Sequence, residues 1–215
     1  MQTIAVVDYG MGNLRSVVNA LEHVSGKHQQ VVLTSNPEQV MNADRVVFPG
    51  QGAARDCMQA IENYELRDTI LAVAEQKPLL GICMGMQVLI DFSEENQGVD
   101  CLSLYAGRVK YFGDSHQDTD GNKLKVPHMG WNNLSQTKAH PLWHAIEDNA
   151  RFYFVHSYYL ECADKQLIAG ECDYGFTYTS AIAKGNVFAL QCHPEKSAKP
   201  GLQLLKNFVE WDGQA

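Results

Sequence analysis

The sequence predicts an α/β fold in which a doubly wound, mostly parallel sheet carries helices on both faces and has an added β-rich portion. Apolar strand-like runs alternate with helix-like segments through the first hundred residues, which is typical of a parallel sheet covered on both faces. Beyond residue 100, short β-rich segments follow one another closely and indicate an antiparallel or mixed extension. A chain of 215 residues suits one well-filled domain, so we expect residues 1–215 to form a single domain.

The first hundred residues contain four predicted strands. Residues 3–8 form the first strand, and the turn GMGN leads into a helix whose apolar residues keep helical spacing up to a stop at Gly26. The next two strands are QVVLTS and DRVVFPG, and two helical stretches follow across residues 54–75. The fourth strand, PLLGIC, is apolar throughout, as a parallel strand covered on both faces should be.

The second half of the chain is rich in β-type residues and turn residues. The predicted strand segments there are GRVKYF, RFYFVHSYYL, QLIAGEC, YTSAIAKG and VFALQCHP. A helix from about Lys199 to Trp211 is expected to close the fold. The sequence contains no internal repeat, low-complexity tract or linker, so nothing in it divides the chain further.

Composition describes an ordinary globular protein, with 45% hydrophobic and 20% charged residues. The formal net charge of −8 and the absence of a basic stripe argue against a nucleic-acid partner. The opening MQTIAVVDYG lacks the basic region and longer apolar core of a signal peptide, and no apolar run reaches transmembrane length, so no membrane partner is expected. Six cysteines without a CxxC pair indicate reduced thiols, and we expect a cytoplasmic protein.

The stretch PLLGICMGMQVL places a cysteine at a strand-to-helix corner. Apolar β-type residues precede Cys83, and a helix-compatible run continues from Met84 through Ile90. The pattern Gly81-x-Cys83-x-Gly85 is the thiol version of the nucleophile elbow, in which a strained turn lifts the nucleophile above the sheet. On this stretch alone a buried core cysteine is an equally good interpretation, because free cysteines are often buried.

A nucleophilic cysteine needs a base and a group that orients this base. His193 in LQCHPEKS lies at a predicted strand end, and the proline after it favours an extended conformation. In an extended segment His193 and Glu195 point to the same side, which predicts a triad of Cys83, His193 and Glu195. Among the other histidines, only His144 near Glu147 has a comparable acidic neighbour, in a polar segment. Taken alone, the histidine and glutamate are equally compatible with an ordinary turn.

The third strand ends in PGQG, whose two glycines let the backbone turn its N–H groups toward a bound carbonyl. Gly50, Gln51 and Gly52, with the N–H of Met84 at the start of the elbow helix, are therefore candidates for an oxyanion hole. The same helix N-terminus favours a thiolate at the cysteine. Taken alone, PGQG is also compatible with a tight turn.

Two other kinds of site are disfavoured by the residues. A metal centre would require Cys83, Cys192 and His193 to converge, but Cys192 and His193 are adjacent on an extended chain and should face opposite sides. We therefore expect no metal. The opening YGMGNL mimics a dinucleotide-binding loop, but Arg15 stands at the third glycine position and no ribose-binding acid follows clearly. No cofactor is predicted.

Together, FPGQG, GICMGMQ and QCHPEKS resemble the class I, triad-type glutamine amidotransferase family, and the likeness spans nearly the full chain. The resemblance implies that Cys83 attacks the amide carbon of L-glutamine, that ammonia leaves, and that a γ-glutamyl thioester is hydrolysed to glutamate. By family position, Gln87 and Glu95 help to hold the glutamine, and the backbone of Ser157 and Tyr158 lines its pocket. Without the resemblance, Glu95 would be interpreted as a solvated charge beside another glutamate.

Three further stretches, VVDYGMGNLRSV, VPHMGWN and FYFVHSYY, resemble the glutaminase subunits of imidazole glycerol phosphate synthases. Met86 supports this resemblance, because anthranilate-synthase-type glutaminases usually have histidine at that position. The resemblance implies that ammonia passes to a cyclase subunit with a (β/α)8 barrel fold, which forms imidazole glycerol phosphate and an aminoimidazole carboxamide ribotide in histidine biosynthesis. Such a barrel typically needs about 250 residues, so the cyclase would be a separate chain in a heterodimer. By family position, the residues that face the cyclase are Asn13, Met129, Trp131 and Lys196.

The resemblance leaves one departure and one alternative. Many relatives carry a small aliphatic residue where this chain has Gln51, which bears on how readily that turn rearranges but leaves its N–H available. The alternative is a catalytically silent binding or regulatory protein on the same fold. The presence of all three triad residues argues against it.

Overall fold

In the computed structural model, which describes residues 1–113, 116–117 and 121–214, thirteen strands form one mixed sheet. The main path through the sheet runs β2-β1-β3-β4-β13-β12-β10-β7-β5-β6, and β11, β8 and β9 branch from β12. In chain order the strands are β1 (Gln2–Val7), β2 (Gln29–Thr34), β3 (Arg45–Gly50), β4 (Leu79–Cys83), β5 (Ile90–Ser93), β6 (Val99–Asp100), β7 (Tyr105–Tyr111), β8 (His128–Gln136), β9 (Ala150–His156), β10 (Tyr158–Cys162), β11 (Ile168–Asp173), β12 (Thr177–Lys184) and β13 (Val187–Leu190).

Helices cover both faces of the parallel part of the sheet. In chain order they are α1 (Leu14–Val24), α2 (Pro37–Asn42), α3 (Ala54–Asn63), α4 (Arg67–Gln76), α5 (Met84–Gln87) and α6 (Ala198–Glu210). Successive residues of β1 enter opposite cores: Val7 packs in the cluster that contains Ile61 of α3, and Val6 packs in the cluster that contains Leu21 of α1 and Leu205 of α6. The predicted covering of both faces is therefore confirmed.

The β-rich second half continues the same sheet. Strands β2, β1, β3, β4 and β13 are parallel, and β12 then runs antiparallel to β13, as does β10 to β12. The last strand of the chain, β13, thus lies inside the parallel part, directly beside β4. This placement brings together three carboxyl ends of parallel strands, those of β3, β4 and β13, at one edge of the sheet.

Several element boundaries differ from the sequence prediction. The helix expected from Met84 to Ile90 ends at Gln87, because the Leu89 carbonyl accepts hydrogen bonds from the N–H groups of Leu104 and Tyr105 and the chain enters β5. The segment RFYFVHSYYL is two strands divided at Ser157, which pair with different neighbours. Helix α2 and strands β5, β6 and β8 were not predicted.

Candidate active site

Cys83 lies at the last position of β4, where the chain turns sharply into α5. Its backbone has φ 56° and ψ −111°, a conformation that non-glycine residues rarely adopt. The flanking glycines are required by close packing: a Cβ at Gly85 would overlap the Phe48 carbonyl oxygen, and one at Gly81 would lie 2.8 Å from the Cβ of Ala189. The local structure is therefore a strained strand-to-helix elbow with the thiol at its corner.

The chain that leaves β13 places an imidazole and a carboxylate beside this elbow. Leu190 pairs with Ile82 in the parallel register, so the residues after it leave the sheet alongside Cys83. His193 Nδ1 lies 2.9 Å from Glu195 Oε1, and both side chains are almost fully buried. The structure thus brings together the three residues of the predicted triad.

The geometric reason for the predicted glutamate position is partly wrong. His193 is extended, with φ −104° and ψ 96°, but residues 194–196 form a 3₁₀ turn rather than a continued strand. The Lys196 N–H closes this turn on the His193 carbonyl at 3.0 Å, and the turn carries the Glu195 carboxylate to the imidazole. Ser197 Oγ also donates to the His193 carbonyl, at 2.6 Å, so two hydrogen bonds fix this carbonyl of the histidine.

Electrostatics favour a protonated imidazole at this position. Burial alone lowers the pKa of His193, but the neighbouring Cys83 thiol and the Glu195 carboxylate outweigh this effect and raise the pKa to about 10. Because Nδ1 is engaged by Glu195, Nε2 is the nitrogen left to exchange a proton with the thiol. Such an arrangement can supply a thiolate for attack and an imidazolium to protonate a leaving amine.

A cavity of about 440 Å³ opens above the cysteine, within the size range of small-molecule sites. Most of the residues predicted to bind substrate lie on its wall, together with the thiol and the imidazole. The lining residues are Gln51, Gly52, Cys83, Met84, Gln87, Glu95, Pro127, Val155, His156, Ser157, Tyr158, His193 and Lys196. Gly50 is absent from this lining; it pairs with Cys83 between β3 and β4, and a Cβ there would overlap the Tyr9 hydroxyl.

The two polar side chains predicted to hold substrate are themselves held by the protein. Glu95 Oε2 accepts a hydrogen bond from the Ala54 N–H at 2.7 Å, at the start of α3, and burial raises the pKa of this carboxyl. Gln87 Nε2 donates to Gln191 Oε1 at 2.8 Å and to the Tyr158 carbonyl at 3.3 Å. Sequence reasoning missed Gln191, although a polar residue at the end of an apolar strand, two positions before His193, was a visible signal.

A second buried cluster, also missed, supports the pocket wall. His128 Nδ1, His156 Nε2 and the Tyr178 hydroxyl lie within 3.1–3.2 Å of one another. His156 Nδ1 must carry a proton to donate to the Tyr158 carbonyl at 2.7 Å, so its Nε2 accepts. The Asn132 amide donor faces His128 Nε2, so His128 presents its N–H to His156. Both imidazoles are thus neutral, and they connect β8 to the pocket.

These buried histidines should make the fold sensitive to acid. Burial lowers the pKa of His128 and His140 to about 4 and that of His156 to about 3, from an ordinary value of 6.5. Between about pH 6.5 and 4 the unfolded chain binds protons at these positions that the folded chain does not, so the free energy of unfolding falls as the pH is lowered. We expect Tm to decrease steadily from pH 6.5 to 5, as measured by circular dichroism.

A variant at one of the three positions checks the assignment. His140 Nδ1 accepts from the Leu142 N–H, a capping role that asparagine can also fill. His140→Asn should therefore keep the fold, remove one titrating group and make the dependence of Tm on pH shallower. An unchanged slope in this variant would show that His140 takes no part in the acid sensitivity.

Of the residues predicted to face a partner, only Lys196 lines the pocket itself. Met129 and Trp131 lie on the same face of β8 and are 62% and 44% exposed. Lys196 lines the mouth of the pocket, although it reaches it from a turn and not from an extended segment. Asn13, at the start of α1, borders a small crevice whose opposite wall includes His193.

Among the residues that the structure describes, nothing supports a metal site or a membrane-spanning helix. Among the described residues, no group of three or more histidine, cysteine or acidic side chains is placed to hold a metal ion. The helices that the structure describes are all too short or too polar to cross a membrane.

A thiol at a strand-to-helix elbow, with a histidine and a glutamate from a neighbouring strand end, defines an α/β enzyme of the cysteine-nucleophile class. Residues 5–211 match the family described as glutamine amidotransferase class-I, and the chain belongs to this family. It is a glutamine amidotransferase.

The names of similar proteins indicate which kind of amidotransferase the chain resembles. The chain is 53% identical over 215 residues to the "Imidazole glycerol phosphate synthase subunit HisH" of Pseudomonas syringae pv. syringae, covering 100% of both proteins. It is 57% identical over 212 residues to the protein of the same name from Dechloromonas aromatica, covering 98% of this chain and 97% of the relative. Among solved structures, the glutaminase domain of CTPS from Trypanosoma brucei has a TM-score of 0.66 at 16% identity, covering 99% of this chain and 95% of the solved one, and supports the fold.

Proposed function

We propose that this chain is the glutaminase subunit of an imidazole glycerol phosphate synthase, with residues 1–215 acting as one amidotransferase domain. The observation that carries the proposal is that Cys83 and His193 line one pocket of about 440 Å³ and that Glu195 Oε1 lies 2.9 Å from His193 Nδ1. Relatives that match over the whole length and bear this subunit's name support the choice among amidotransferases.

The geometry supports a two-step hydrolysis of L-glutamine. The Cys83 thiolate attacks the amide carbon and forms a tetrahedral intermediate, and the His193 imidazolium gives its proton to the departing nitrogen, which leaves as ammonia. His193, now neutral, removes a proton from water as the water attacks the γ-glutamyl thioester. Glutamate leaves, and the thiolate and imidazolium are restored. Glu195 keeps the imidazole in the tautomer that presents Nε2 to the sulfur.

Oxyanion stabilisation is assigned to the backbone beside the thiol. Met84 contributes the first N–H of α5, and the segment 50–52 approaches the cysteine from the adjacent strand β3. For the rest of the substrate, the half-buried Glu95 carboxylate suits the α-ammonium group, and Gln87 with the backbone of Ser157 and Tyr158 suits its polar atoms. Each of these steps is carried out by the chain's own side chains and backbone.

The names of the relatives describe a subunit, which implies a partner for them. For this chain we propose a heterodimer with a cyclase subunit of (β/α)8 barrel fold, which receives the ammonia and forms imidazole glycerol phosphate and an aminoimidazole carboxamide ribotide in histidine biosynthesis. All six cysteines are unpaired, which fits the reducing conditions of a cytoplasm.

The test is a paired assay of the chain with and without a purified cyclase subunit. We expect glutamate release to rise when the cyclase is added, and glutamine to support synthesis of imidazole glycerol phosphate by the mixture. A chain that binds the cyclase but releases no glutamate would instead favour the catalytically silent regulatory alternative. Glutamate release without any support of synthesis would assign the chain to another amidotransferase.

Trp131 is expected to anchor the cyclase. This residue is 44% exposed on β8, near the exposed Met129, and large aromatic side chains commonly dominate binding energy at interfaces. Trp131→Ala should weaken cyclase binding by about tenfold to a hundredfold and leave the isolated chain folded. Titration followed by calorimetry and by glutamate release measures both effects.

Tyr64→Ala provides the matched control, because Tyr64 is another aromatic residue with 44% exposure and lies at the far end of α3. It should bind the cyclase as the wild type does. Equal affinities for wild type and Trp131→Ala would place the interface on another face of the molecule.

A further inference from the structure

One side chain that none of the steps above uses lies in direct contact with the nucleophile. Gln191 is the first residue after β13 and is completely buried. Its Nε2 donates to Cys83 Sγ at 3.6 Å, and its Oε1 accepts from Gln87 Nε2 at 2.8 Å. A buried amide that satisfies both ends on two site residues is more than a space-filling group, because burying unpaired amide atoms is costly.

The hydrogen-bond network determines which end of the amide faces the sulfur. The Tyr158 carbonyl can only accept, so Gln87 must present its Nε2 to it. The same Nε2 lies against Gln191, which must therefore present its oxygen there and its N–H₂ to Cys83. A donor fixed on the sulfur stabilises the thiolate more than the thiol, because hydrogen bonds to charged groups are the stronger ones.

The backbone of Gln191 is anchored independently of this contact. Its N–H donates to the Ser180 carbonyl of β12 at 2.8 Å, and the preceding residue, Leu190, pairs with Ala181. The side chain consequently projects from a fixed point at the end of β13, the strand that lies between β4 and β12. It does not itself line the pocket, so its influence on glutamine passes through Cys83 and Gln87.

We infer that Gln191 is a positioning residue that donates a hydrogen bond favouring the thiolate form of the Cys83 sulfur and that links this sulfur through Gln87 to the glutamine pocket. The inference rests on the proposed glutaminase function, which it deepens. Cys83 thus has two partners with different duties: His193 exchanges protons with the sulfur, and Gln191 donates a hydrogen bond to it without titrating.

The test measures thiolate formation directly. Gln191→Met keeps the length of the side chain and removes the donor, and Gln191→Glu keeps the acceptor for Gln87 but places a carboxylate against the sulfur. The rate of carbamidomethylation of Cys83 by iodoacetamide is followed from pH 5 to 10 by peptide mass spectrometry on the full chain. We expect the midpoint of the profile to rise by about one pH unit in Gln191→Met, and further in Gln191→Glu.

Steady-state assays of the complex with cyclase give the second measurement. In Gln191→Met, kcat for glutamate release should fall by about tenfold or more while KM changes less than about threefold, because the lost contact lies on the nucleophile and not on the substrate. Cys192→Ala is the control, since it alters the adjacent, fully buried residue and leaves the two hydrogen bonds of the Gln191 amide in place. Its alkylation profile and kcat should match those of the wild type.

Two outcomes would overturn the inference. One is a wild-type alkylation profile in both folded Gln191 variants, and the other is an equal shift in Cys192→Ala, which would indicate a general disturbance of the core. Because alkylation needs no glutamine turnover, a wild type that is alkylated at Cys83 but inactive with cyclase would contradict the proposed function alone.

Discussion

Replacing Cys83 with alanine is expected to lower glutamine hydrolysis by at least about 10⁴-fold while the protein remains folded. The substitution deletes one sulfur atom at the floor of the pocket and leaves the elbow, the imidazole and the substrate contacts in place. Alanine cannot form a covalent bond with the substrate, so no thioester intermediate is formed. Glutamate release by the complex with cyclase measures the loss, and circular dichroism verifies the fold.

Selective labelling by an electrophilic glutamine analogue provides the complementary result. Cys83 should be modified first, because burial raises the pKa of the other thiols and keeps them protonated. These are Cys57 and Cys172 with a pKa of about 12, Cys101 and Cys162 with a pKa of about 11, and Cys192 with a pKa well above its ordinary value. Labelling distributed evenly over the six cysteines would contradict the assignment.

Two controls separate loss of chemistry from loss of structure. Cys101→Ala removes a buried thiol away from the pocket and should retain activity. Complexes that contain Cys83→Ala should still make imidazole glycerol phosphate from added ammonium salts at raised pH, since only the ammonia supply is blocked. Failure of this ammonia-dependent synthesis in a correctly assembled complex would mean that the chain does more than deliver nitrogen.

The sequence predicted which strand ends carry the candidate site, because the signals for those ends are local. FPGQG, GICMGMQ and QCHPEKS each join an apolar strand to residues with turn or chemical character, and the structure places all three at one edge of the sheet. Local sequence patterns could not predict that β13 lies beside β4 in the sheet. Strand order depends on pairing between segments more than a hundred residues apart, and the chain pattern alone assigned this strand to the β-rich extension.

The roles of residues that act through their neighbours could not be predicted from local patterns. Gln191 and His156 both lie within the motifs quoted above, but only packing shows that they contact the Cys83 sulfur and the Tyr158 carbonyl. For Glu195, the predicted contact is present but the conformation predicted to produce it was wrong. The contact of Glu195 with the imidazole was expected from the alternation of side chains along a strand, but a 3₁₀ turn produces it. Proline at position 194 suits the start of such a turn, whereas a continued strand would require the backbone N–H that proline lacks.

Glu195→Gln is expected to reduce turnover by about 10²- to 10⁴-fold with little change in glutamine affinity. Glutamine is similar in size and can still accept a hydrogen bond from His193 Nδ1, so the imidazole keeps its orientation. What disappears is the negative charge, which helps to raise the pKa of His193 to about 10 against the effect of burial. The imidazolium that protonates the departing amide nitrogen then becomes scarcer.

The pH dependence distinguishes this electrostatic role from a purely structural one. A raised pKa keeps His193 protonated as the pH increases, and loss of the neighbouring charge lowers that pKa, so the alkaline limb of the kcat profile should move to lower pH in Glu195→Gln. Glu22→Gln makes the same chemical change on the exposed surface of α1 and should leave the profile unchanged. A Glu195→Gln enzyme whose defect lies wholly in KM, with the wild-type alkaline limb, would show that Glu195 serves substrate binding and not the imidazolium.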